Sequence, residues 1–371
     1  MPISYCLVPN LRFNKFHNKY ITIPLKECLK IKSGKDQKQV ECLNGKYKIY
    51  GTGGVIGTTN SYLYNKESVG IGRKGTIDKP FYFDKPFWTV DTLFYSEINN
   101  YYMPKYIYYL FQTIPWKKYN TSTGVPSLTS TTIEAIEKSF PLLEEQRKIA
   151  EFLSLIDERI ETQIKIIKKY ESLIKSIEEK ILWKGNDSSY VPIKDFLIEK
   201  NEKSTIQDQY PVLSSTVKGL FLQSDYFQRE VASSNNIGYK ITKLNDIIIS
   251  PQNLWMGNIT YNDKFENGIV SPSYHIYEIR DGYNKQYIAT ILKSYKALYR
   301  YKSISEQGAS VVRRNLNMDA FLDITFPIPS KRKQDEAGMI IQQLHLKLDV
   351  ENQYLDSLFS QKTYFLNNMF I

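Results

Sequence analysis

The chain has 371 residues, 42% of them hydrophobic, with 49 lysines and arginines against 39 aspartates and glutamates. This composition excludes a disordered tail protein, because it provides enough apolar side chains for two or three cores. No apolar run approaches the roughly 18 residues of a membrane-spanning helix, and the start does not resemble a signal peptide, so we expect a cytoplasmic protein without membrane contact.

The net charge of +10 favours an anionic partner, of which nucleic acid is the usual one. The excess is uneven along the chain. Residues 1–143 carry +9 and residues 184–330 carry +2, whereas residues 144–183 and 331–371 carry −1 and 0. A phosphate-contacting surface is therefore expected in the two charged segments, mainly in the first.

Strand and turn patterns dominate the first 140 residues. Short apolar or alternating runs predict strands at residues 47–50, 69–71, 81–83 and 89–95. A helical pattern covers residues 104–111. This mixture predicts an α/β domain.

A long heptad pattern follows Phe140-Pro141. Nine of its ten seam positions are apolar, and Gln163 is the exception. The pattern predicts a coiled-coil helix from about residue 144 to 183, roughly 60 Å long, with Gly185 and Asn186 at its end. The residues that we assign to this spacer helix and its partner contacts are Gln146, Ile149, Leu153, Ile156, Ile160, Ile167, Ile174 and Ile181.

The second half follows the same order. Strands are predicted at residues 247–250, 259–261 and 274–279, and a helix at residues 286–298, which again indicates an α/β domain. A rougher heptad pattern predicts a second spacer helix of about eight turns, with Gly338 weakening its start. The seam residues assigned to it are Leu344, Leu348, Leu355 and Leu358.

Segments of the first half return in the second half, which indicates an internal duplication. Residues 20–29 return loosely at 190–197, an offset of about 165. The predicted strand at 89–95, the loop at Gly124 and the Phe140-Pro141 pair return about 185 residues later, the loop at Gly308. If the halves are related by a pseudo-twofold axis, the two long helices are antiparallel. We therefore expect two mixed α/β domains joined by two long helices that pair as an antiparallel coiled coil.

The sequence contains no convincing motif for catalysis or for cofactor binding. Residues 70–75 fit the dinucleotide-binding pattern G-x-G-x-x-G, but Pro80 follows too soon for the required helix. No P-loop is present, the three histidines suggest no triad, and the three cysteines suggest neither disulfides nor a zinc site. We also find no amino-methyltransferase signature. These observations favour a protein that is not itself an enzyme and binds no cofactor.

Four pairs of residues are candidates for DNA contact. Adjacent arginines in a polar loop suit bidentate contacts to guanine or phosphate, and amide side chains suit adenine. For Arg73 and Lys74 a solvated turn is the alternative, and for Arg313 and Arg314 a simple exposed pair. Trp255 either stacks or packs in the core. The candidates are Arg73, Lys74, Lys117, Lys118, Gln252, Asn253, Arg313 and Arg314.

Several motifs resemble those of the DNA-specificity subunits of type I restriction-modification systems. Most specific are Phe140-Pro141 and the following residues 145–150 and 155–157, which look like the central conserved region of that family. The resemblance covers nearly the whole chain. In the second copy, residues 333–337 precede Leu348-Asp349 by about four residues more than in the first. Further segments that resemble the family are residues 7–13, 50–57, 72–76, 126–128 and 367–371.

The resemblance implies a domain order and a function. The order is target-recognition domain 1 at residues 1–140, a central spacer helix at 141–184, target-recognition domain 2 at 185–326 and a C-terminal spacer helix at 327–371. Each domain would read one half of a bipartite target in double-stranded DNA, and the helices would set the spacer and dock the methyltransferase (modification) subunits.

The resemblance also implies which chemistry belongs to the partners. The modification subunits would bring S-adenosylmethionine and methylate adenine, and restriction subunits would use ATP and Mg²⁺ to cleave DNA. A duplicated coiled-coil scaffold or an RNA-binding protein without restriction partners is the alternative, although no paired base-stacking aromatics stand out among the 29 tyrosines.

Overall fold

The computed structural model describes residues 8–184, 188–227, 235–307 and 313–371. The chain divides into two compact units. Unit 1 comprises Met1–Lys165 and Gln353–Ile371, and unit 2 comprises Ile166–Asn352, so the boundary falls inside both long helices. In the described part of the chain, no helix combines the length and the apolar character that a membrane crossing requires.

Unit 1 is a mixed α/β unit. Its strands are β1 Ile21–Pro24, β2 Leu29–Ser33, β3 Tyr47–Gly51, β4 Gly54–Thr59, β5 Ser68–Gly72, β6 Phe81–Phe83, β7 Phe87–Thr89, β8 Leu93–Ile98 and β9 Glu137–Phe140. Its helices are α1 Pro104–Thr113, α2 Ser130–Glu134 and the first part of α3 Leu143–Trp183, with short 3-10 turns at Leu25–Glu27 and Trp116–Tyr119.

The main sheet of unit 1 has the antiparallel order β2-β8-β5-β6. A second sheet has the order β4-β3-β7, in which β3 and β7 are parallel, and β1 pairs with β9. The core lies between the main sheet, α1 and the long helices, because Leu110 of α1, Leu153 of α3 and Leu366 near the chain end belong to one buried cluster. Burial of such side chains stabilises the unit by about 25 cal/mol per Å².

Unit 2 repeats the mixed pattern. Its strands are β10 Ser189–Pro192, β11 Leu197–Lys200, β12 Leu213–Thr216, β13 Gly219–Leu222, β14 Lys240–Lys243, β15 Ile247–Ile249, β16 Ile259–Tyr261, β17 Asn267–Val270, β18 His275–Ile279, β19 Ser305–Gln307, β20 Arg314–Leu316 and β21 Thr325–Ile328. Its helices are α4 Ile193–Phe196, α5 Gln223–Tyr226, α6 Lys285–Lys293, α7 Tyr295–Ser303, α8 Met318–Leu322 and the first part of α9 Lys331–Met369, with a 3-10 turn at Pro251–Met256.

The main sheet of unit 2 has the antiparallel order β11-β18-β15-β16, and β10 pairs with β21. Each of these strands has a counterpart at the same place in unit 1. The remaining pairs are β12-β13, β14-β17 and β19-β20. The predicted duplication is therefore confirmed at the level of sheet order.

Both predicted long helices are present, but the second is longer than predicted. Helix α3 begins and ends within one residue of the predicted bounds. Helix α9 has 39 residues, about eleven turns, because it begins seven residues before Gly338. Gly338 lies inside α9 and is buried, and a Cβ there would lie 2.5 Å from Oδ1 of Asn284, so the packing at this position favours glycine. The predicted helix end at Gly185 and Asn186 lies outside the described residues.

The prediction of one strand at residues 89–95 is wrong in its middle. β7 ends at Thr89 and β8 begins at Leu93, because the backbone turns where Leu93 N–H donates to Val90 O at 3.0 Å. Val90 N–H donates to Tyr50 O, and its side chain packs with the second sheet. The alternating pattern therefore spans two strands that belong to two different sheets.

The helix predicted at residues 286–298 is two helices. Ser294 has extended backbone angles (φ −64°, ψ 153°) between α6 and α7. Its hydroxyl donates to Ile291 O at 2.7 Å, so the serine ends α6. This competition by a hydroxyl group is typical of serine at helix ends.

Candidate nucleic-acid interface

The first candidate surface lies at the end of β5 in unit 1. Arg73 and Lys74 occupy the tight turn between Gly72 and Gly75. Both of their backbone N–H groups donate to Thr92 O, at 2.7 and 3.2 Å. A Cβ at Gly72 would lie 2.0 Å from Thr76 O, and Gly75 has φ +87°, so this turn requires both glycines.

A second segment packs beside this turn. Leu128 N–H donates to Arg73 O and Gly75 N–H donates to Pro126 O, both at 2.9 Å. These hydrogen bonds bring the loop that contains Gly124 to the cationic turn, although 50 residues separate them. The glycine turn and the loop thus form one surface. The sequence shows them as two separate motifs and does not indicate that they are adjacent.

The Arg73 and Lys74 side chains differ in their contacts and exposure. Arg73 is half-buried, its Nη1 donates to Asp91 O at 3.3 Å, and its guanidinium lies 6.0 Å from the centroid of the Phe94 ring. Lys74 is exposed. Arg73 is therefore held in place, whereas Lys74 is available to an approaching anion.

Lys117 and Lys118 extend the same surface. Both are exposed on the 3-10 turn Trp116–Tyr119. The Lys117 ammonium lies 3.0 Å from the Asp78 carboxylate, and this hydrogen bond lowers the pKa of Asp78. Just beyond, Thr121 N–H donates to Ser127 O of the Gly124 loop. Surface 1 is defined as Arg73, Lys74, Lys117 and Lys118.

The second candidate surface lies at the end of β15 in unit 2. Gln252 is exposed on the 3-10 turn Pro251–Met256, and Asn253 is half-buried. Among the described residues, Oδ1 of Asn253 is buried without a hydrogen-bond partner. Gln252 is therefore the better placed of the two to contact a base. Gly257, with φ +96°, closes the turn.

The β19–β20 hairpin packs against this turn. Arg313 is exposed and Arg314 is half-buried on β20. The Arg314 guanidinium lies 4.9 Å from the centroid of the Trp255 ring, so Trp255 stacks rather than being wholly in the core. Gly308, which the sequence places in a loop, lies outside the described residues. Surface 2 is defined as Gln252, Asn253, Arg313 and Arg314.

Both surfaces occupy the same position on their sheets. β5 and β15 are equivalent third strands; Arg73-Lys74 follows β5 directly, and Gln252-Asn253 follows β15 after Ser250 and Pro251. In each unit the second segment is the one before a short capped helix, α2 or α8. Sequence analysis missed this equivalence, because a glycine turn and a 3-10 turn share no residue pattern.

The start of each long helix is fixed by a buried glutamine. Gln146 Oε1 accepts from Met103 N–H at 3.0 Å, and its Nε2 donates to Pro141 O at 2.9 Å. Gln334 makes the same two contacts, with Asn284 N–H and Pro329 O, both at 2.9 Å. We call each pair of hydrogen bonds a glutamine clamp. Gln146 thus contacts its own unit and fixes the start of α3. In the sequence, the only sign of this role is the similarity between residues 145–150 and 333–337.

The predicted seam of α3 is buried or half-buried throughout. In unit 1, Phe152 contacts Phe365 edge-on at 4.8 Å between ring centroids, and the Asp157 carboxylate lies 2.7 Å from the Lys362 ammonium. The buried seam residues of α3 are Ile149, Leu153, Ile156, Ile160, Ile167 and Ile174, and Ile181 is half-buried.

The seam of α9 is less completely covered. Leu344, Leu348 and Leu355 are half-buried, and Leu358 is buried. In unit 2, His345 of α9 contacts Glu178 of α3 at 2.7 Å. In unit 1 the contacts Phe152–Phe365 and Asp157–Lys362 run in opposite directions along the two helices, as the antiparallel order predicted from the duplication requires.

Comparison with known proteins gives a family match for the first half of the chain. Residues 13–169 match the family model "Type I restriction modification DNA specificity domain". No curated protein matches the sequence.

Solved structures resemble the chain along nearly its whole length. The type I restriction-modification S subunit from M. genitalium is 18% identical with a TM-score of 0.63, over 98% of this chain and 99% of that one. A chain from a study of the assembly and conformational transition of the type I system is 12% identical with a TM-score of 0.56, over 94% and 97%. These comparisons agree with the resemblance seen in the sequence: residues 13–169 match the model of a type I restriction-modification DNA specificity domain, and the whole chain shares the fold of the M. genitalium S subunit.

Proposed function

We propose that this chain is the sequence-specific DNA-binding subunit of a type I restriction-modification complex. Unit 1 reads one half of a bipartite target with surface 1, and unit 2 reads the other half with surface 2. The observation that carries the proposal is the equivalent position of the two surfaces, each of which follows the third strand of its sheet. Two equivalent surfaces with different side chains suit two half-sites of different sequence.

The long helices set the separation of the half-sites. In unit 1, Leu93 at the start of β8 pairs with Gly72 beside surface 1, and the chain beyond the other end of β8 leads to the glutamine clamp at Met103. In unit 2, β18 lies between surface 2 and the glutamine clamp of Gln334, as β8 does between the corresponding features of unit 1. Each recognition surface is thus connected to a helix start through one strand. A helix of 41 residues is about 60 Å long and spans at most roughly 17 base pairs.

The modification subunits dock on exposed apolar side chains of the long helices. Exposed apolar side chains are frequent at protein interaction sites. Those on α3 are Leu155 and Leu173, and those on α9 include Met339, Leu346 and Val350. In this proposal the chain is not itself catalytic. S-adenosylmethionine, ATP and Mg²⁺ belong to the modification subunits and to restriction subunits where these are present.

Deletion of the gene in its host tests the function itself. We expect one bipartite motif of methylated adenine to disappear from the genome, as read by long-read sequencing of modified bases. Purification of the tagged chain should bring down a methyltransferase. An unchanged methylome, or RNA and filament proteins in place of a methyltransferase, would support the scaffold or RNA-binding alternative.

Substitutions in each surface test the division of the target. Arg73→Ala with Lys74→Ala should weaken or relax one half-site, and Gln252→Ala should relax the other by about 1–3 kcal/mol at one base pair. Lys19→Ala is the matched control, because this exposed lysine precedes β1 and adjoins Tyr20, which binds the start of α3. Changes in both half-sites from one variant would contradict independent reading.

A heptad insertion tests the spacer role. Seven residues inserted after Lys165 and seven after Asn352 preserve the seam of both helices and lengthen them by about 10 Å, close to three base pairs. We expect the unspecified spacer of the methylation motif to grow by that amount with both half-sites unchanged. Insertion into α3 alone is the control, which should abolish methylation. The old spacer in the double insertion would refute this role.

A further inference from the structure

Arg314 joins two chain segments of surface 2. Its Nη1 donates to Ser305 O at 3.3 Å, within its own β19–β20 hairpin. Its guanidinium also lies 4.9 Å from the centroid of the Trp255 ring, on the Pro251–Met256 turn. Stacking on an aromatic face with a fixed hydrogen bond holds a guanidinium in one orientation.

Two of the three guanidinium nitrogens of Arg314 are already bonded or buried. Guanine is read by two neighbouring N–H groups that reach O6 and N7 together. Nη1 is already bonded to Ser305 O, and Nε is buried without a hydrogen-bond partner in the described part of the chain. Arg313, by contrast, is exposed on the same hairpin.

Unit 2 also needs such a connection more than unit 1 does. In unit 1, backbone hydrogen bonds from Leu128 and Gly75 tie the Arg73 turn directly to the neighbouring loop. Among the described residues of unit 2, the backbone hydrogen bonds of the Pro251–Met256 turn stay within residues 250–258. The contact between the Arg314 and Trp255 side chains connects this turn to the hairpin instead.

We propose that Arg314 and Trp255 are positioning residues: they brace the turn that carries Gln252 against the hairpin that carries Arg313, so that both contact one half-site as a unit. The inference rests on the proposed function, and it separates the roles of two adjacent arginines that the sequence does not distinguish. Gln252 and Arg313 contact DNA, and Arg314 acts through them.

The test compares methylation motifs of the host that expresses the full chain with its native partners. Trp255→Leu and Arg314→Met should each lower discrimination at more than one position of the second half-site, about three- to tenfold. The first half-site should stay unchanged. Trp255→Phe should restore discrimination because it retains a ring, whereas Arg314→Lys should not, because an ammonium group cannot stack and bond Ser305 O as a planar fork does.

Two further measurements separate bracing from direct contact. On a fluorescent duplex that carries the motif found by sequencing, the salt slope of binding should stay at the wild-type value for Arg314→Met, and Arg313→Ala should lower it by about one or relax one base pair. The double variant Trp255→Leu with Arg314→Met should lose no more discrimination than the stronger single variant, since both remove the same brace.

Other outcomes overturn the brace. A lower salt slope for Arg314→Met with an unchanged motif, or a single relaxed base pair that Trp255→Leu leaves intact, would make Arg314 a direct DNA contact. Unchanged motifs in Trp255→Leu and Arg314→Lys would also refute it. The first half-site, read in the same methylome, tests the proposed function separately. If the wild-type chain showed no such half-site, the proposed function would fail, whatever the brace does. Trp255→Phe and Arg314→Lys keep the test valid if the larger changes prevent folding.

Discussion

The two units attach their long helices with the same clamp and with different charges. Gln146 and Gln334 make matching hydrogen bonds. One residue earlier in unit 1, the buried Glu145 carboxylate accepts from Nε and Nη2 of Arg12 at 2.8 and 2.7 Å. The same position in unit 2 is Lys333, which is exposed. The amide contacts thus set where each helix begins, and the buried carboxylate of unit 1 is replaced by an exposed ammonium group in unit 2.

A second difference between the units lies eleven residues after each clamp glutamine. Asp157 of α3 contacts Lys362 of α9 in unit 1, and His345 of α9 contacts Glu178 of α3 in unit 2. The residue at this position is the acid in unit 1 and the base in unit 2, so the two pairs have opposite polarity relative to the helix start. The duplicated scaffold therefore preserves the register of the helices and leaves the charges free to change.

The largest expected effect comes from breaking the buried ion pair. Glu145→Ala should destabilise unit 1 by about 3–5 kcal/mol, because it leaves the Arg12 guanidinium, which is 13% exposed, without its carboxylate. Lys333→Ala at the equivalent, exposed position should change the stability of unit 2 by at most about 1 kcal/mol, because exposed charges contribute little. Hydrogen exchange with mass spectrometry measures each unit separately. Similar losses in both units would contradict the difference described above.

A smaller and symmetric effect is expected from the glutamine clamps. Gln146→Leu and Gln334→Leu each leave a backbone N–H and a carbonyl without their partner, at a cost of about 1–3 kcal/mol. The two variants should agree within about 1 kcal/mol, each in its own unit. Urea unfolding monitored by hydrogen exchange provides the comparison, and a loss in only one unit would show that the clamps are not equivalent.

The smallest effect is a pH dependence confined to unit 2. The hydrogen bond to Glu178 raises the pKa of His345, with Asp349 acting in the same direction and Lys293 against it. Because the folded pKa is raised, the stabilisation is present below about pH 6.5 and is lost as the pH rises through the folded pKa. Since His345 is half-exposed, the change is at most about 1 kcal/mol.

A matched pair of variants tests this pH dependence. Glu178→Gln should remove it from unit 2, as monitored by hydrogen exchange between pH 5.5 and 8. The Asp157–Lys362 contact of unit 1 involves no histidine and should be constant over that range, so Asp157→Asn should lower stability equally at both ends. A dependence that survives Glu178→Gln would assign it to other groups.

Local patterns predicted much of the fold. The heptads of α3 and the short strands at Tyr47–Gly51 and Ile259–Tyr261 follow from periodicities that neighbouring residues determine. The break between Thr89 and Leu93 does not, because it depends on the parallel pairing of β3 with β7. Such pairing joins residues about 40 positions apart, and no local pattern encodes it.

The candidate site was predictable in part for a similar reason. Composition and adjacent charges indicated Arg73-Lys74 and Arg313-Arg314 as separate pairs. The equivalence of Arg73 with Gln252 depends on sheet order, and the contact of Arg314 with Trp255 joins residues 59 positions apart. Long-range contacts of this kind determine which of two adjacent arginines is exposed. The sequence alone does not distinguish Arg313 from Arg314.

The division of unit 1 into two chain segments has a consequence for synthesis on the ribosome. Leu358, Leu366 and Met369 belong to its core, together with residues made some 200 positions earlier. Unit 2 is continuous, so it is complete before these residues emerge. At roughly 5–20 residues per second, the apolar face of α3 in unit 1 waits about 10–40 seconds for its cover. During that interval the nascent chain offers a binding site for chaperones that the finished protein closes with its own last helix.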